Sequence, residues 1–333
     1  MFRIDGFSHL TDASGCSRRF FLKTTGLYSC VMYLSGETPN DIKSKRRQIP
    51  VIASDWIRVV DYPENHLNDF CIFQDTDGIW HCMGIMGTGT WNSETSLFHC
   101  SSLNLLEHFK TNKSILTTLP PAHLPPQKHA PFVVFNEGYY HLFYRRPPGT
   151  ILVVRSADPF NWPDLGFLVF EERDARDICI IKDNNMFLMY YCQSIFIDGF
   201  YRSAILMRKS KDLCEWSDAE TVFLDTIKSS EHSYLESPFV VRRPEGYYIF
   251  IRHRLLEETC STVVIFSDFP NEFPSGERTW FVELNHVHAP EIVSHEGKYY
   301  IARVSGPRHG NKFAPQKGGW IEIAELKFSD TPE

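Results

Sequence analysis

The feature that most limits how this chain can fold is an internal repeat, in which five segments share one strand pattern. Each segment contains a short apolar strand, a turn with polar residues or glycine, and then an aromatic-rich strand. The segments begin at Asn68, His129, Arg176, Glu236 and His288. Each interval is long enough for one four-stranded unit, and a repeat of small sheets is typical of propeller folds.

Further strands repeat between these segments. The stretches that begin at Leu97, Ile151, Ala204 and Thr262 each place a serine at the end of an apolar run, followed by a turn with Asp or Asn and then an aromatic residue. Helical periodicity is nearly absent, which excludes folds that alternate strands with long amphipathic helices. We therefore predict an all-β fold, a single five-bladed β-propeller over residues 50–333.

Charge and hydropathy exclude two classes of partner. The 41 acidic and 34 basic residues give a formal net charge of −7. They form no basic stripe that could follow a phosphate backbone, so no nucleic-acid partner is expected. No apolar run after residue 40 approaches the roughly 20 residues needed to span a bilayer. No membrane span is therefore expected in the mature chain.

Residues 1–36 carry a pattern of a different kind. The run from Ser17 to Lys23, Ser-Arg-Arg-Phe-Phe-Leu-Lys, resembles the twin-arginine export signal and precedes a mildly apolar stretch that ends near Gly36. The alternative is a basic surface turn that leads into a short helix. The resemblance implies a bacterial protein that the twin-arginine machinery exports to the periplasm or the cell exterior.

The cysteines form no recognisable motif. Removal of residues 1–36 would leave seven, an odd number without short paired spacings, so neither a disulfide framework nor a zinc site is indicated. Most are expected to be small buried hydrophobic side chains. The alternative is a disulfide between residues of adjacent predicted strands, Cys71 with Cys82 or Cys179 with Cys192.

Ionisable residues gather at the first positions of the five repeats. The innermost strand of a propeller blade lines the central channel, so these positions lie near one mouth of the channel. They include three carboxylates, two imidazoles and a guanidinium, namely Asp69, Asp177, Glu236, His129, His288 and Arg176. Grouping so many charges away from water is costly unless a ligand or a reaction requires it. The mouth is therefore the predicted functional site.

Three motifs at this mouth resemble those of the five-bladed glycoside hydrolase clan that holds families 43 and 62 and, more distantly, families 32 and 68. Asn68-Asp69 is similar to the Asn-Asp-Pro motif of blade one, and Asp177 to the aspartate of the Asp-Pro motif of blade three. Glu236-Ser-Pro is similar to the Glu-x-Pro motif of blade four. The order of the three acids is the order found in the clan.

One further motif supports the resemblance to the clan, and two residues differ from its usual motifs. The turn from Ser210 to Trp216, Ser-x-Asp-Leu-x-x-Trp, is also a trait of the clan. Phe70 and Ile178 stand where proline usually follows the two aspartates. Neither change removes a reacting atom, but together they leave the exact family open.

The resemblance implies a glycoside hydrolase that cleaves oligo- or polysaccharides of plants or algae. Asp69 would be the base that activates water, Glu236 the acid that protonates the leaving oxygen, and Asp177 the residue that orients and tunes that acid. His288 matches a blade-five histidine that helps to hold a metal ion or water. The resemblance implies no required cofactor and allows a structural calcium ion in the channel.

Each candidate also has a structural interpretation. Asp69 could be an acid in the turn before a strand, and Asp177 could form a salt bridge with Arg176 or Arg173. Either a hydrogen-bonded structural role or substrate binding would account for the histidines.

Other candidate sugar-binding residues come from loops and second strands. Trp91 could stack on a sugar or pack between blades. His129, Arg252 and His288 are the remaining predicted substrate-binding residues, and Arg145 and His253 could bind sugar hydroxyls or lie on solvated surface.

The mechanism has two rivals. In one, Asp69 attacks the sugar directly, as in a retaining fructan-type hydrolase or transglycosylase; in the other, the propeller binds carbohydrate without catalysis. Inverting enzymes separate their carboxyl groups by about 6.5–9.5 Å and retaining enzymes by about 5–5.5 Å. Asp69 and Glu236 belong to blades one and four, which are not adjacent, so the sequence predicts the wider spacing and inversion.

Overall fold

The computed structural model describes residues 47–89, 92–120, 123–229, 235–253, 261–275, 281–306 and 317–330. Every regular element in these ranges is a β-strand, and the strands form five antiparallel sheets. The prediction of a five-bladed β-propeller is confirmed. The predicted export signal, with Arg18 and Arg19, lies outside the described residues.

Four blades are formed by consecutive strands that run from the innermost strand to the outer edge. Blade one contains β3 (His66–Gln74), β4 (Trp80–Gly87), β5 (Ser96–Ser102) and β6 (Lys110–Thr111), and blade two contains β7 (His129–Asn136), β8 (Tyr139–Arg146), β9 (Thr150–Ser156) and β10 (Phe167–Glu171). Blade three contains β11 (Arg176–Asp183), β12 (Met186–Ile197), β13 (Phe200–Ser210) and β14 (Glu220–Ser229), and blade four contains β15 (Leu235–Arg243), β16 (Gly246–His253), β17 (Thr262–Ser267) and β18 (Val282–Leu284).

Strands from both ends of the described chain build the fifth blade. Its C-terminal strands are β19 (Glu291–His295), β20 (Lys298–Ser305) and β21 (Gly319–Asp330), and its N-terminal strands are β1 (Gln48–Ile52) and β2 (Ile57–Tyr62). Both N-terminal strands pair with successive parts of β21. This pairing closes the ring of blades and covers an edge of β21 that would otherwise expose unpaired backbone groups.

The innermost strands begin near the predicted repeat starts. β7 and β11 begin at His129 and Arg176 as predicted, β3 begins at His66, and β15 begins at Leu235. β19 begins at Glu291, three residues after His288.

A β-bulge recurs at the mouth end of the innermost strands. The strand register shifts between Leu67 and Phe70, between His129 and Phe132, between Arg176 and Cys179, and between Glu236 and Phe239. Four residues in matching positions have positive φ, namely Ala130, Asp177, Ser237 and Ala289 at 45°, 57°, 49° and 50°. A bulge turns side chains out of their alternating order, so these segments face the channel.

The core is rich in aromatic side chains and free cysteines. Tyr144, Tyr190 and Tyr248 are fully buried within or between the sheets. The four cysteines of the alternative disulfide pairs, Cys71, Cys82, Cys179 and Cys192, are free and buried, as is Cys100. The expectation of small buried hydrophobic residues holds for these five. A search of the described ranges finds no helix with the length and hydropathy of a membrane span.

Candidate active site at the channel mouth

The mouth-end segments of the innermost strands of all five blades meet around the propeller axis. They enclose a small cavity of about 20 Å³, which is room for about one water molecule. The cavity is lined by Asp69, Phe70, Ala130, Pro131, Asp177, Ile178, Ser237, Pro238, Ala289, Pro290 and Glu291. A sugar ring does not fit at this level, so a carbohydrate would have to rest on the mouth above it.

Ser237 joins two of the predicted catalytic residues. Its hydroxyl donates to Asp69 Oδ1 at 3.1 Å, and its backbone amide donates to Asp177 Oδ2 at 3.0 Å. Three different blades therefore bring Asp69, Asp177 and the Glu236-Ser237 segment to one place. Sequence comparison of the repeats had not singled out Ser237, although it occupies the position that corresponds to Asp69 and Asp177.

Asp177 is held in a buried, mixed electrostatic environment. Burial raises the pKa of its carboxyl group; the Arg176 guanidinium opposes this, and the negative charge of Glu236 adds to it. The Arg176 Nε lies 3.9 Å from Asp177 Oδ2, whereas its Nη1 lies 2.7 Å from Asp174. The predicted alternative of a salt bridge with Arg176 is thus present only as a long contact, and Asp174 is the closer partner of Arg176.

Glu236 faces an arginine on the neighbouring strand. Arg252 Nη1 donates to Glu236 Oε2 at 2.6 Å, and the Glu236 side chain is 25% exposed. The two residues are direct cross-strand partners of β15 and β16. Arg252, predicted to bind substrate, therefore contacts the predicted acid itself, and such an ion pair favours the ionised carboxylate.

His288 is connected to Asp69 through Asn68. His288 Nε2 and Asn68 Oδ1 are 3.0 Å apart, and Asn68 Nδ2 donates to Asp69 Oδ2 at 3.1 Å. Since the Asn68 carbonyl oxygen can only accept, the imidazole donates from Nε2. His288 is buried at the mouth. Its hydrogen bond orients the side-chain amide of Asn68, which in turn orients the carboxylate of Asp69.

A protein-only metal site is not formed around this histidine. Its Nε2 is engaged by Asn68, and the described residues contain no group of three or more His, Cys, Asp or Glu side chains that could hold a metal ion. The side-chain donors around His288 therefore do not fit the calcium ion that the resemblance allows.

His129 lies beside a carboxylate that the sequence analysis did not select. Its Nε2 is 4.0 Å from Oε2 of the buried Glu94, whose Oε1 is 2.9 Å from His66 Nε2. Gly89 donates its amide to His66 Nδ1, which leaves the proton of His66 on Nε2. Burial raises the pKa of Glu94, but the nearby His129 imidazole and the hydrogen bond with His66 outweigh burial and lower the pKa below its usual range.

The remaining candidates have separate positions. Trp91 lies outside the described residues. Arg145 is the cross-strand partner of His129; burial lowers its pKa, and the nearby Asp177 raises it. His253 is buried, with Nε2 3.2 Å from Asp225 Oδ2, so the alternative of a solvated surface position is wrong for this histidine.

Glu291 is a further carboxyl group that the sequence analysis missed. It is buried and lines the axial cavity together with Asp69 and Asp177. Burial raises its pKa well above the usual range, and the negative Asp69 raises it further. Its place immediately after Ala289-Pro290, which matches Ala130-Pro131 and Ser237-Pro238 of other repeats, is the sequence signal that could have drawn attention to it.

Comparison with known proteins gives agreement in fold at low sequence identity. No protein-family model matches the sequence, and no curated protein matches it. Among solved structures, the RS223 beta-xylosidase superposes with a TM-score of 0.61 at 15% identity, covering 82% of this chain and 97% of that chain. An exo-1,5-alpha-L-arabinanase from a bovine ruminal metagenomic library gives a TM-score of 0.58 at 13% identity, with 80% and 95% covered.

Family 32 is also represented among the similar structures. The Bombyx mori family-32 beta-fructofuranosidase gives a TM-score of 0.56 at 16% identity, covering 81% of this chain and 62% of that chain. The predicted likeness to the five-bladed clan is confirmed at the level of the fold.

Proposed function

We propose that this protein is a glycoside hydrolase whose reaction takes place at the channel mouth. The observation that carries the proposal is the junction at Ser237, which holds Asp69 at 3.1 Å and Asp177 at 3.0 Å beside Glu236. Carboxyl groups from three blades thus share one site. The similar folds of a xylosidase and an arabinanase support carbohydrate as the substrate class.

Asp69 is the base of this proposal. Ser237 Oγ and Asn68 Nδ2 both donate to its carboxylate, and hydrogen bonds of this kind stabilise the ionised form. An ionised, oriented carboxylate is what removal of a proton from water requires. The buried His288 keeps the Asn68 amide in place.

Glu236 is the acid that protonates the leaving oxygen. It is partly accessible, with a quarter of its side chain exposed at the mouth. Two neighbours influence its protonation in opposite directions: Arg252 favours the ionised form, and the negative charge of Asp177 favours the protonated form. The balance between these neighbours sets the pH at which the acid still holds its proton.

The proposed stereochemical outcome is inversion. Asp69 and Glu236 belong to blades one and four, which leaves room for a water molecule between the base and the sugar. Proton NMR of the first sugar released, recorded before mutarotation, distinguishes the outcomes. A product with the anomeric configuration of the substrate would contradict inversion and favour the retaining rival.

Hydrolysis is tested with a panel of aryl glycosides and oligosaccharides of xylose, arabinose and galactose. Replacing Glu236→Gln is expected to lower kcat on glycosides with poor leaving groups by roughly 10²–10⁴-fold, since it removes the proton donor. The loss should be smaller when the leaving group needs no proton. Glu220→Gln, which alters an exposed carboxylate of β14 paired with Lys209, is the control.

The thermal midpoint of the Glu236→Gln variant should stay close to that of the unmodified protein. Full activity of the variant would remove Glu236 from the mechanism. Carbohydrate binding without hydrolysis by the unmodified protein would support the rival of a non-catalytic propeller.

A further inference from the structure

The second and third strands of blade three are longer than their counterparts. β12 has 12 residues and β13 has 11, whereas β8 of blade two has 8. Cys192 of β12 pairs with Arg176, the first residue of β11, so the part of β12 beyond Cys192 extends past the channel mouth. At about 3.3 Å per residue, its continuation to Ile197 raises the hairpin roughly 16 Å above the rim.

One face of this hairpin is directed towards blade four. Directly opposed residues of an antiparallel pair share a face, and Ser194 is opposed to Ser203. Ser203 Oγ accepts a hydrogen bond from the amide of Leu235 at 3.3 Å, and Leu235 immediately precedes Glu236. The face that carries these serines is therefore adjacent to the proposed acid.

The same face carries an exposed aromatic pair at the tip. Phe196 is opposed to Tyr201, two residues beyond the serine pair, so all four side chains share the face. The two ring centroids are 5.0 Å apart, and Phe196 is 62% exposed. An exposed aromatic pair above a polar site marks a surface suited to a ligand with apolar faces.

A groove of about 460 Å³ lies along the β12 strand of this hairpin, within the size range of small-molecule sites. It is lined by Arg173, Gln193, Ser194, Ile195, Phe196 and Tyr201. Ser194 is hydrogen-bonded to Asp174, which pairs with Arg176 at the channel mouth. The groove thus adjoins the residues that surround Asp177.

The lining has the composition that a carbohydrate requires. Ring faces of Phe196 and Tyr201 can cover the C–H face of a sugar, while the guanidinium of Arg173 and the amide of Gln193 can bind hydroxyl groups. Arg173 is exposed and forms no ion pair with any described residue. The axial cavity is too small for a sugar, so a chain bound at the mouth must continue across the surrounding surface.

We propose that this groove binds sugar units that lie beyond the scissile bond, so that the substrate is an oligo- or polysaccharide chain. This inference rests on the proposed function, because it takes the carboxylates of the mouth as the place of cleavage. The hairpin would add affinity for chains and leave the cleavage of a single glycoside unchanged.

The test compares chain-length dependence in Phe196→Ala and Tyr201→Ala with that in Phe269→Ala. Phe269 is also 62% exposed, but it follows β17 at the opposite end of blade four. The probes are xylo- and arabino-oligosaccharides of two to six units and the matching aryl monoglycosides. For each groove variant, kcat/KM on the longer oligosaccharides should fall about tenfold, as expected for loss of one aromatic stacking contact.

On the aryl monoglycosides the groove variants should match Phe269→Ala. An equal effect of all three variants on long substrates would overturn the proposal. Thermal unfolding of each variant shows whether the exposed substitution has changed the fold, and Phe196→Leu, which keeps an apolar side chain without a ring, provides a second variant.

Failure of the proposed function gives a different result. If the unmodified protein cleaves none of the probes, binding of the same oligosaccharides is measured by calorimetry. Affinity that increases with chain length and is lost in Phe196→Ala supports the groove as a carbohydrate-binding site even if the protein does not hydrolyse glycosides. Absence of binding, or equal binding by the Phe196→Ala and Phe269→Ala variants, refutes it.

Discussion

Replacing Arg252→Gln should move the alkaline limb of the pH–activity profile to higher pH. Arg252 Nη1 lies 2.6 Å from Glu236 Oε2, and its positive charge favours the ionised form of the proposed acid. Glutamine can still donate a hydrogen bond but carries no charge. The acid of the variant should therefore hold its proton at a pH where the acid of the unmodified protein has lost it.

The size of this shift follows from the geometry of the pair. Two unit charges about 4 Å apart interact by about 1 kcal/mol in water and about 4 kcal/mol near a protein surface. Glu236 is 25% exposed, so solvent screens the pair and the lower part of this range applies. One pKa unit corresponds to about 1.4 kcal/mol, and we expect a shift of about one unit.

The assay is kcat/KM against pH on an alkyl glycoside, whose leaving group depends on protonation. Arg242→Gln is the matched control, because Arg242 pairs with Asp183 at the same 2.6 Å distance but at the far end of blade four. Its profile should coincide with that of the unmodified protein. If the alkaline limb of Arg252→Gln stays in place, whatever the change in KM, the pair with Arg252 does not determine the pKa of the proposed acid.

Three further predictions concern other parts of the chain. Asp177→Asn should move the same alkaline limb to lower pH, because it removes a negative neighbour of Glu236; a shift to higher pH would contradict the tuning role. Burial, and to a smaller extent the neighbouring His81, lowers the pKa of His99 to about 3. The unfolded imidazole titrates near pH 6.5, so stability present above pH 6.5 is lost as the pH falls towards 3, by about 2–3 kcal/mol between pH 7 and 4.5. His99→Gln, which can still donate to His81, should lose less of its unfolding free energy over this interval in urea titrations, and an equal loss would exclude His99 as the cause. Changing Arg18 and Arg19 together to Lys should retain the protein in the cytoplasm, as measured by fractionation, since the export receptor recognises the arginine pair itself; unchanged export would argue against this signal.

The blade pattern could be predicted because each strand hairpin is encoded locally. Alternating apolar residues, a polar turn and an aromatic strand identify the two inner strands of every unit, and β7 and β11 begin where the repeats were placed. The fifth blade could not be completed in this way, since β1 and β2 pair with β21 from the other end of the chain. Contacts of such long range leave no periodic signal in the segments that make them.

The features around the site differ in the same respect. The long hairpin of blade three was accessible from sequence, since Asp198-Gly199 between Ile197 and Phe200 is a strong turn signal. The contact between Glu236 and Arg252 was not, because counting outwards from the turn of the β15–β16 hairpin places Arg252 opposite Ser237, and the bulge shifts its partner to Glu236. The contact of Ser237 with Asp69 joins blades four and one and depends on the bulge geometry, which no local pattern specifies.

The five blades present matching positions around the mouth, and the residue types at these positions determine its chemistry. Blades one and three supply Asp69 and Asp177, and blade four supplies Ser237, whereas blades two and five supply Ala130 and Ala289. At these positions the polar side chains come from blades one, three and four, and both alanines are buried, 5% and 3% exposed. At the preceding position, blades two and five carry His129 and His288, which lie beside Glu94 and Asn68. Replacing either alanine by a larger residue should therefore crowd the small cavity beside Asp69 and Asp177 without altering either carboxylate, which makes these two positions determinants of how the mouth aspartates are packed.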